Sequence, residues 1–176
     1  MRLIVMMCGL LLTSFVAAGC SGGGEVEESP TPSGVAFSSL YGGYFQNCTV
    51  CHTPDAPGRT SSTETALDFT SESTALATIS EGVATGLSGN EAGCNGVPFV
   101  GDSPETSLIV ASIDETVRAS FSVSGFPDCT AESIADMTLK SGGAPDAQFL
   151  TDLKQWIVDY NNGAAARPGD DGFVGH

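Results

Sequence analysis

Positive charge is scarce in this sequence. Of its 176 residues only six are Lys or Arg, against 21 Asp or Glu, and the formal net charge is −15. Arg2 lies in the leader described below, so Arg59, Arg118, Lys140, Lys154 and Arg167 alone oppose the acids in the rest of the chain. Such a balance argues against binding to nucleic acid and against adhesion to an anionic membrane surface. It fits a basic protein partner, or simply a solvated acidic surface. Histidine is nearly absent, with only His52 and His176. No second Cys/His cluster stands at the spacing a zinc site needs. There is no βαβ pattern of the kind that surrounds a thioredoxin-like cysteine pair, and no internal repeat. No apolar run reaches the roughly 20 residues of a spanning helix.

The apolar run that is present has the form of an export leader. Arg2 supplies a positive start, Leu3 to Val16 are mostly apolar, and Ala17-Ala18-Gly19 place small residues before Cys20. Small residues followed by cysteine resemble the lipobox of bacterial lipoproteins, with Ala17 where leucine is commonest. This predicts a leader over 1–19, lipid on Cys20 and an exported, membrane-anchored protein. The alternative is an ordinary secretory leader cut nearby. Residues 20–34, rich in Gly, Ser, Pro and Glu, cannot build a core and read as a flexible tether.

Asn47-Cys48-Thr49-Val50-Cys51-His52 carries the chemistry. Two thiols three positions apart lie about one helical turn from each other and can reach the two vinyl groups of one porphyrin. The histidine that follows can then bind its iron. This is the spacing for covalent attachment of haem c, one per chain. A redox pair, half a zinc site or a plain disulfide are the competing uses of Cys-x-x-Cys; the adjacent His52 separates the haem reading from them. Cys8 leaves with the leader, Cys20 takes lipid, and Cys48 and Cys51 take haem. Cys94 and Cys129 remain, and in an oxidising compartment they are most simply a disulfide.

The rest of the chain reads as short helices and long loops. Leu40, Tyr41, Tyr44 and Phe45 form a helical stripe leading straight into Cys48, with Gly42 and Gly43 permitting close approach of another backbone. Pro54, Pro57 and Gly58 then break the helix; a carbonyl of that loop is a candidate acceptor for the second ring N–H of His52. Ala66 to Phe69 is a short apolar run. Ser73 is a candidate N-cap for a helix to Ile79. Residues 81–96 read as loop. Ser103-Pro104 predicts a helix start with proline in its first position and an end near Ile113. Residues 114–128 show no pattern, and Phe121 and Phe126 suit ordinary packing or a haem wall. The strongest helix spans 146–162, with Phe149, Leu150, Leu153, Trp156, Ile157 and Tyr160 on one face, Asp146 as cap and Gly163 past the end. Residues 164–176 read as a flexible tail.

A haem held by His52 alone has one axial position left. Met137 is the one methionine beyond the leader, and it stands among polar residues before Ser141-Gly142-Gly143, a poor core segment and a plausible ligand loop. Thioether ligation favours ferrous iron and raises the potential. A filled sixth site leaves electron transfer as the role, and no acid–base pair points to an enzyme. The alternative is a haem enzyme or gas-binding sensor in which Met137 is absent from the iron or displaceable; a third reading is a non-haem lipoprotein with Cys48 and Cys51 oxidised.

These features together resemble the monohaem class I cytochrome c family, and the longer type found in bacterial lipoproteins most of all. Val100 to Leu108 is similar to a recurring Pro-Gly-Asp-Pro-(Asp/Glu)-x-Ser-x-Leu segment, and Leu153-x-x-Trp156-Ile157 to the last helix. The resemblance covers roughly residues 38–163 within a domain placed at 35–163. It implies an all-α fold of cytochrome c-like helices around one covalently bound haem, thioethers at Cys48 and Cys51, and His52 and Met137 as axial ligands. It also implies crossed first and last helices with Tyr44 and Phe45 near Trp156, and redox proteins as partners. The chain departs from the pattern in carrying Thr138 where proline usually follows the methionine. It also has a long insertion between His52 and Met137, which contains Cys94 and Cys129.

Overall fold

A computed structural model describes residues 34–54, 67–139, 143–165 and 167–168. The chain divides into two units, residues 1–31 and 32–176, and every described residue belongs to the second. The leader, Cys20, most of the tether, Pro57, Gly58, Lys140 and His176 lie outside the described residues.

The fold is all-α, as the helical patterns predict; among the described residues the only sheet-like pairing is an isolated antiparallel bridge between Val83 and Pro98. Among the described residues five α-helices follow in order: α1 (Phe37–Gly43), α2 (Glu72–Glu81), α3 (Leu108–Ile113), α4 (Glu115–Ala119) and α5 (Ala147–Asn161). Short 3₁₀ turns at Phe45–Val50, Gly89–Cys94, Pro104–Thr106, Ala131–Ser133 and Met137–Leu139 connect them.

The opening helix does not run into Cys48. It ends at Gly43, the backbone turns at Tyr44 (φ −146°, ψ −49°), and a 3₁₀ turn takes over. Two successive glycines, each about 1 kcal/mol poorer than alanine in a helix, make this the weak point. Their expected use as a close-approach site is not realised: a Cβ on Gly42 would meet nothing within 4 Å, and one on Gly43 only the Phe149 ring at 3.8 Å. The break allows Phe37, Leu40, Tyr44 and Phe45 all to be buried.

Helix α5 matches its expected bounds closely. The Asp146 carboxylate accepts the Phe149 N–H at 2.7 Å, and Gly163 takes the positive φ (73°) just past the helix end. Its apolar face buries Phe149, Leu153, Trp156 and Ile157. The first and last helices pack together, but the partners shift by one layer. Trp156 lies against Phe37 (5.1 Å between ring centroids), while Tyr44 and Phe45 lie against Phe149 at 5.0 and 5.4 Å.

Between these helices, α3 is buried on nearly every side, through Leu108, Ile109, Val110, Ala111 and Ile113. The Ser103-Pro104 start is present, but it opens a 3₁₀ turn that stops at Ser107 before α3 begins. Ser107 is fully buried, and its hydroxyl donates to the Ser103 carbonyl (2.7 Å) and accepts the Gly101 N–H (2.9 Å). That closes the turn and leaves no polar atom of this hydroxyl unpaired. Helix α2 is capped two residues earlier than the expected Ser73. Ser71 is its cap, with the Ser71 hydroxyl accepting the Thr74 N–H and the Thr74 hydroxyl accepting the Ser71 N–H. Helix α4 lies in a stretch without sequence pattern; the Asp114 carboxylate caps it by accepting the N–H groups of Thr116 and Val117.

Candidate functional site

The two motif thiols occupy one tight turn. The Cys48 carbonyl accepts both the Cys51 N–H (3.2 Å) and the His52 N–H (2.9 Å). In a 3₁₀ geometry residues i and i+3 eclipse, so Cys48 and Cys51 stand one above the other, the relation their spacing predicts. Both are free thiols; Cys51 is exposed and Cys48 half-buried. Burial first, and the neighbouring Cys51 second, push the Cys48 thiol up to about 11. A thiol so disposed is protonated at neutral pH. A thioredoxin-like nucleophile needs the opposite shift.

His52 is buried at the end of this turn. Its carbonyl accepts the Phe69 N–H at 2.8 Å, and its ring meets the Phe69 ring edge-on at 5.5 Å. The Phe69 carbonyl in turn accepts the Tyr41 hydroxyl at 2.8 Å. Phe69 thus straps the segment after the motif to α1 and fixes the direction in which the His52 backbone leaves. The sequence marks residues 66–69 only as an apolar run; nothing local reveals this role. The carbonyl expected to orient the His52 ring belongs to a loop that lies largely outside the described residues.

Cys48, Cys51 and His52 all line a single cavity of about 400 Å³, and so does Met137. Its walls are mainly apolar. Phe45 and Phe69 come from the motif side, Leu108, Ile109 and Ile113 from α3, and Ile134 from the segment that leads to Met137. The volume and the apolar lining with few polar groups are those of a small-molecule or cofactor site. The fold brings Met137 to the cysteine motif because its 3₁₀ turn packs on α3, whose other residues form the floor.

The Met137 segment has its own bracing. Asp136 accepts the Thr138 N–H (3.0 Å) and hydroxyl (2.6 Å) on one carboxylate oxygen and pairs with Arg118 (2.8 Å) through the other. The Thr138 hydroxyl, foremost, holds the Asp136 carboxyl below its ordinary range against the opposing effect of desolvation. Past Met137, the Gly143 N–H donates to the Thr138 carbonyl, and the Tyr44 hydroxyl donates to the Gly143 carbonyl at 3.2 Å. Upstream, Cys94 and Cys129 form the disulfide expected from the cysteine count. Both are buried, and Cys94 also lines the cavity. The bond joins the 3₁₀ turn at Gly89–Cys94 to the chain just before the turn at Ala131–Ser133.

Phe121 is buried and Phe126 half-buried, and neither lines the cavity, which leaves them to ordinary packing. Glu91 lines it and is the one carboxylate that does so among the described residues. Its place in an irregular, glycine-rich stretch gave no sign of this. Among the described residues, the cavity included, no three His, Cys, Asp or Glu side chains come together as a metal cage, and no helix is long and apolar enough to cross a membrane.

The donor set fits a c-type haem. Two thiols on one turn suit two vinyl groups, an imidazole and a thioether suit the two axial positions of iron, and apolar walls suit the macrocycle. No family model, no curated protein and no solved structure matches the chain.

Proposed function

We propose that this chain is a one-electron carrier of the class I cytochrome c type, with one haem joined to Cys48 and Cys51 and with His52 and Met137 as axial ligands. The observation that supports this reading is the meeting of Met137 with the Cys-x-x-Cys-His turn on one apolar cavity, across a long stretch of sequence. When bound, the haem supplies the one-electron couple. The chain's own residues do the rest. Cys48 offers a neutral thiol for thioether formation, and Phe69 fixes the backbone at His52. The walls from α3 and Ile134 keep water from the ring. Met137 supplies a soft thioether, which favours the ferrous state.

The acidic surface suits a basic redox protein as donor or acceptor. The leader and Cys20 suit export and lipid anchoring at a bacterial membrane, with the tether giving the domain reach.

Expression beside a haem-attachment system tests the core of the reading. The expected product is red, gains the mass of one haem on the peptide holding Cys48 and Cys51, and is low-spin in both oxidation states. The ferric form shows the long-wavelength band of methionine–iron ligation, and the reduced form does not bind carbon monoxide rapidly. A colourless protein without added mass sinks the proposal. Glu91 favours a second reading, in which a carboxylate beside a displaceable Met137 serves a haem enzyme or gas sensor. A high-spin component and rapid carbon monoxide binding by the wild type identify that case.

A further inference from the structure

We infer that Arg118 and Asp136 are positioning residues that hold Met137 at the cavity; the inference rests on the ligand role proposed above for Met137. Three observations carry it.

The first is connectivity. One guanidinium nitrogen of Arg118 donates to the carbonyls of Ala111 (3.3 Å) and Ser112 (3.2 Å) at the end of α3, and another donates to Asp136 at 2.8 Å. Ser112 and Ile113, at that same end of α3, line the cavity, as Met137 does. A single planar side chain therefore ties the floor of the cavity to the residue preceding the ligand. Its fixed fork is suited to that, because several donors are held in one geometry.

The second is the use made of Asp136. Its other oxygen takes both the N–H and the hydroxyl of Thr138, the residue that follows Met137. The carboxylate thus bridges the backbone across Met137, with Arg118 as the external anchor.

The third is the weakness of everything else around it. The turn that carries Met137 is only three residues, Met137–Leu139, and Met137, Asp136 and Thr138 are each only half-buried. A segment with so little apolar burial opens at low cost. Its geometry then depends on its polar ties as well as on the contact of its turn with α3. Arg118 is the better buried partner, with 12% of its side chain exposed against 31% for Asp136. The pair is shielded enough to exceed an ordinary surface contact.

The test uses haem-loaded full-length protein and reads the methionine–iron band together with the affinity for added imidazole, which competes with Met137 for iron. If the braced form keeps Met137 in place, loosening it raises the apparent imidazole affinity in proportion to the population that opens. Losing a charge-assisted hydrogen bond corresponds to roughly tenfold. Arg118→Gln and Asp136→Ala are each expected to raise imidazole affinity roughly tenfold and to weaken the band, with covalent haem content unchanged. Asp136→Asn, which keeps an acceptor for Thr138, falls between them and the wild type and is the least disruptive variant. Lys154→Gln, which breaks the ion pair with Asp114, leaves imidazole affinity at the wild-type value. Wild-type affinity in Arg118→Gln and Asp136→Asn, alongside a lost band in Met137→Leu, overturns the inference while leaving the ligand reading intact. A band that survives Met137→Leu overturns the ligand reading itself, and the positioning role with it.

Discussion

Removing Asp114 tests how the last helix is joined to the middle of the fold. Asp114 is buried, with one oxygen on the N–H groups of Thr116 (2.9 Å) and Val117 (3.4 Å) and the other 2.7 Å from the Lys154 ammonium on α5. Asp114→Ala removes a helix cap, worth about 1 kcal/mol, and one half of the ion pair. Lys154 has 35% of its side chain exposed, so its ammonium can return to water, and the pair adds at most about 1 kcal/mol. The expected loss is therefore about 2 kcal/mol. Asp114→Asn keeps the cap and should lose no more than about 1 kcal/mol, as should Lys154→Met, with the double variant less than additive.

The pH dependence of the same variants follows from the direction of the Asp114 shift. Desolvation by itself would raise this carboxyl. The hydrogen bond from Lys154 and those from the Val117 and Thr116 N–H groups outweigh it, and the net shift is downward. A folded-state pKa below the unfolded one means a contribution that is fully present above the ordinary carboxylate value of 3.8 and is lost as pH falls through the folded value. Urea unfolding followed by circular dichroism should show the gap between wild type and Asp114→Asn at its full size at neutral pH and closing in acid. Equal stabilities for Asp114→Ala and Asp114→Asn would refute the capping argument. A gap that persists unchanged into acid would refute the electrostatic one.

Gly42→Ala should raise the unfolding midpoint, by about 0.5–1 kcal/mol of stability, because the new methyl meets nothing within 4 Å. Gly101→Ala should lower it by about 1–3 kcal/mol, since the added carbon would press on the Thr106 carbonyl and lie 2.7 Å from its hydroxyl oxygen; equal midpoints for the two variants would contradict this placement of the chain. Replacing Cys94 and Cys129 together by serine opens a link across 35 positions and should cost about 4 kcal/mol, read as a fall in the urea midpoint that reductant reproduces in the wild type. Thr138→Pro, which installs the residue common after the methionine in class I cytochromes c, should here destabilise by about 1–2 kcal/mol, because both Thr138 donors to Asp136 are lost; an unchanged midpoint would show that Asp136 does not depend on them.

What could be read from the sequence was whatever a single segment decides for itself. Helix α5 was legible because an apolar face repeats over its full length and Asp146 marks its start. The Cys48–His52 spacing was legible because it is local, but the helix expected to lead into it gives way to a 3₁₀ turn after Gly43. The disulfide followed from counting, since the sequence reading assigned the remaining cysteines to a leader, a lipid and a haem. Short helices gave less. Five residues, as in α4, are too few to show a period. Ser73 was read as the cap of α2, and Ser71 takes that place because its hydroxyl is the one that accepts the Thr74 N–H. Long-range roles were invisible. Phe69 acts through backbone groups that reach His52 and Tyr41, and Glu91 lines the cavity from a loop that the disulfide at Cys94 ties to Cys129. Phe37, the first buried aromatic among the described residues, was missed, and it takes the place against Trp156 that the family resemblance gave to Tyr44 and Phe45.

The two sides of the cavity are held by different kinds of force, and this bears on how the site assembles. The cysteine side rests on a dense aromatic layer, with Phe45 between Phe37, Phe69 and Phe149 at centroid distances of 5.4 to 5.9 Å. Burial on that scale is worth several kcal/mol and forms from segments near each other in sequence together with α5. The methionine side has no such layer. Between Cys129 and Gly143 the buried side chains among the described residues are Cys129, Ser133 and Ile134. Its shape depends on the disulfide, the Arg118–Asp136–Thr138 ties and the Tyr44–Gly143 bond, each worth a few kcal/mol or less. Under the proposed reading the order of events follows: the motif turn is preformed for haem attachment, and the Met137 side closes last and opens first. Native-state hydrogen exchange should therefore find the Thr138 N–H exchanging through a much smaller opening than the buried amides of α5, and comparable protection at the two places would show that packing, not these ties, holds the methionine segment.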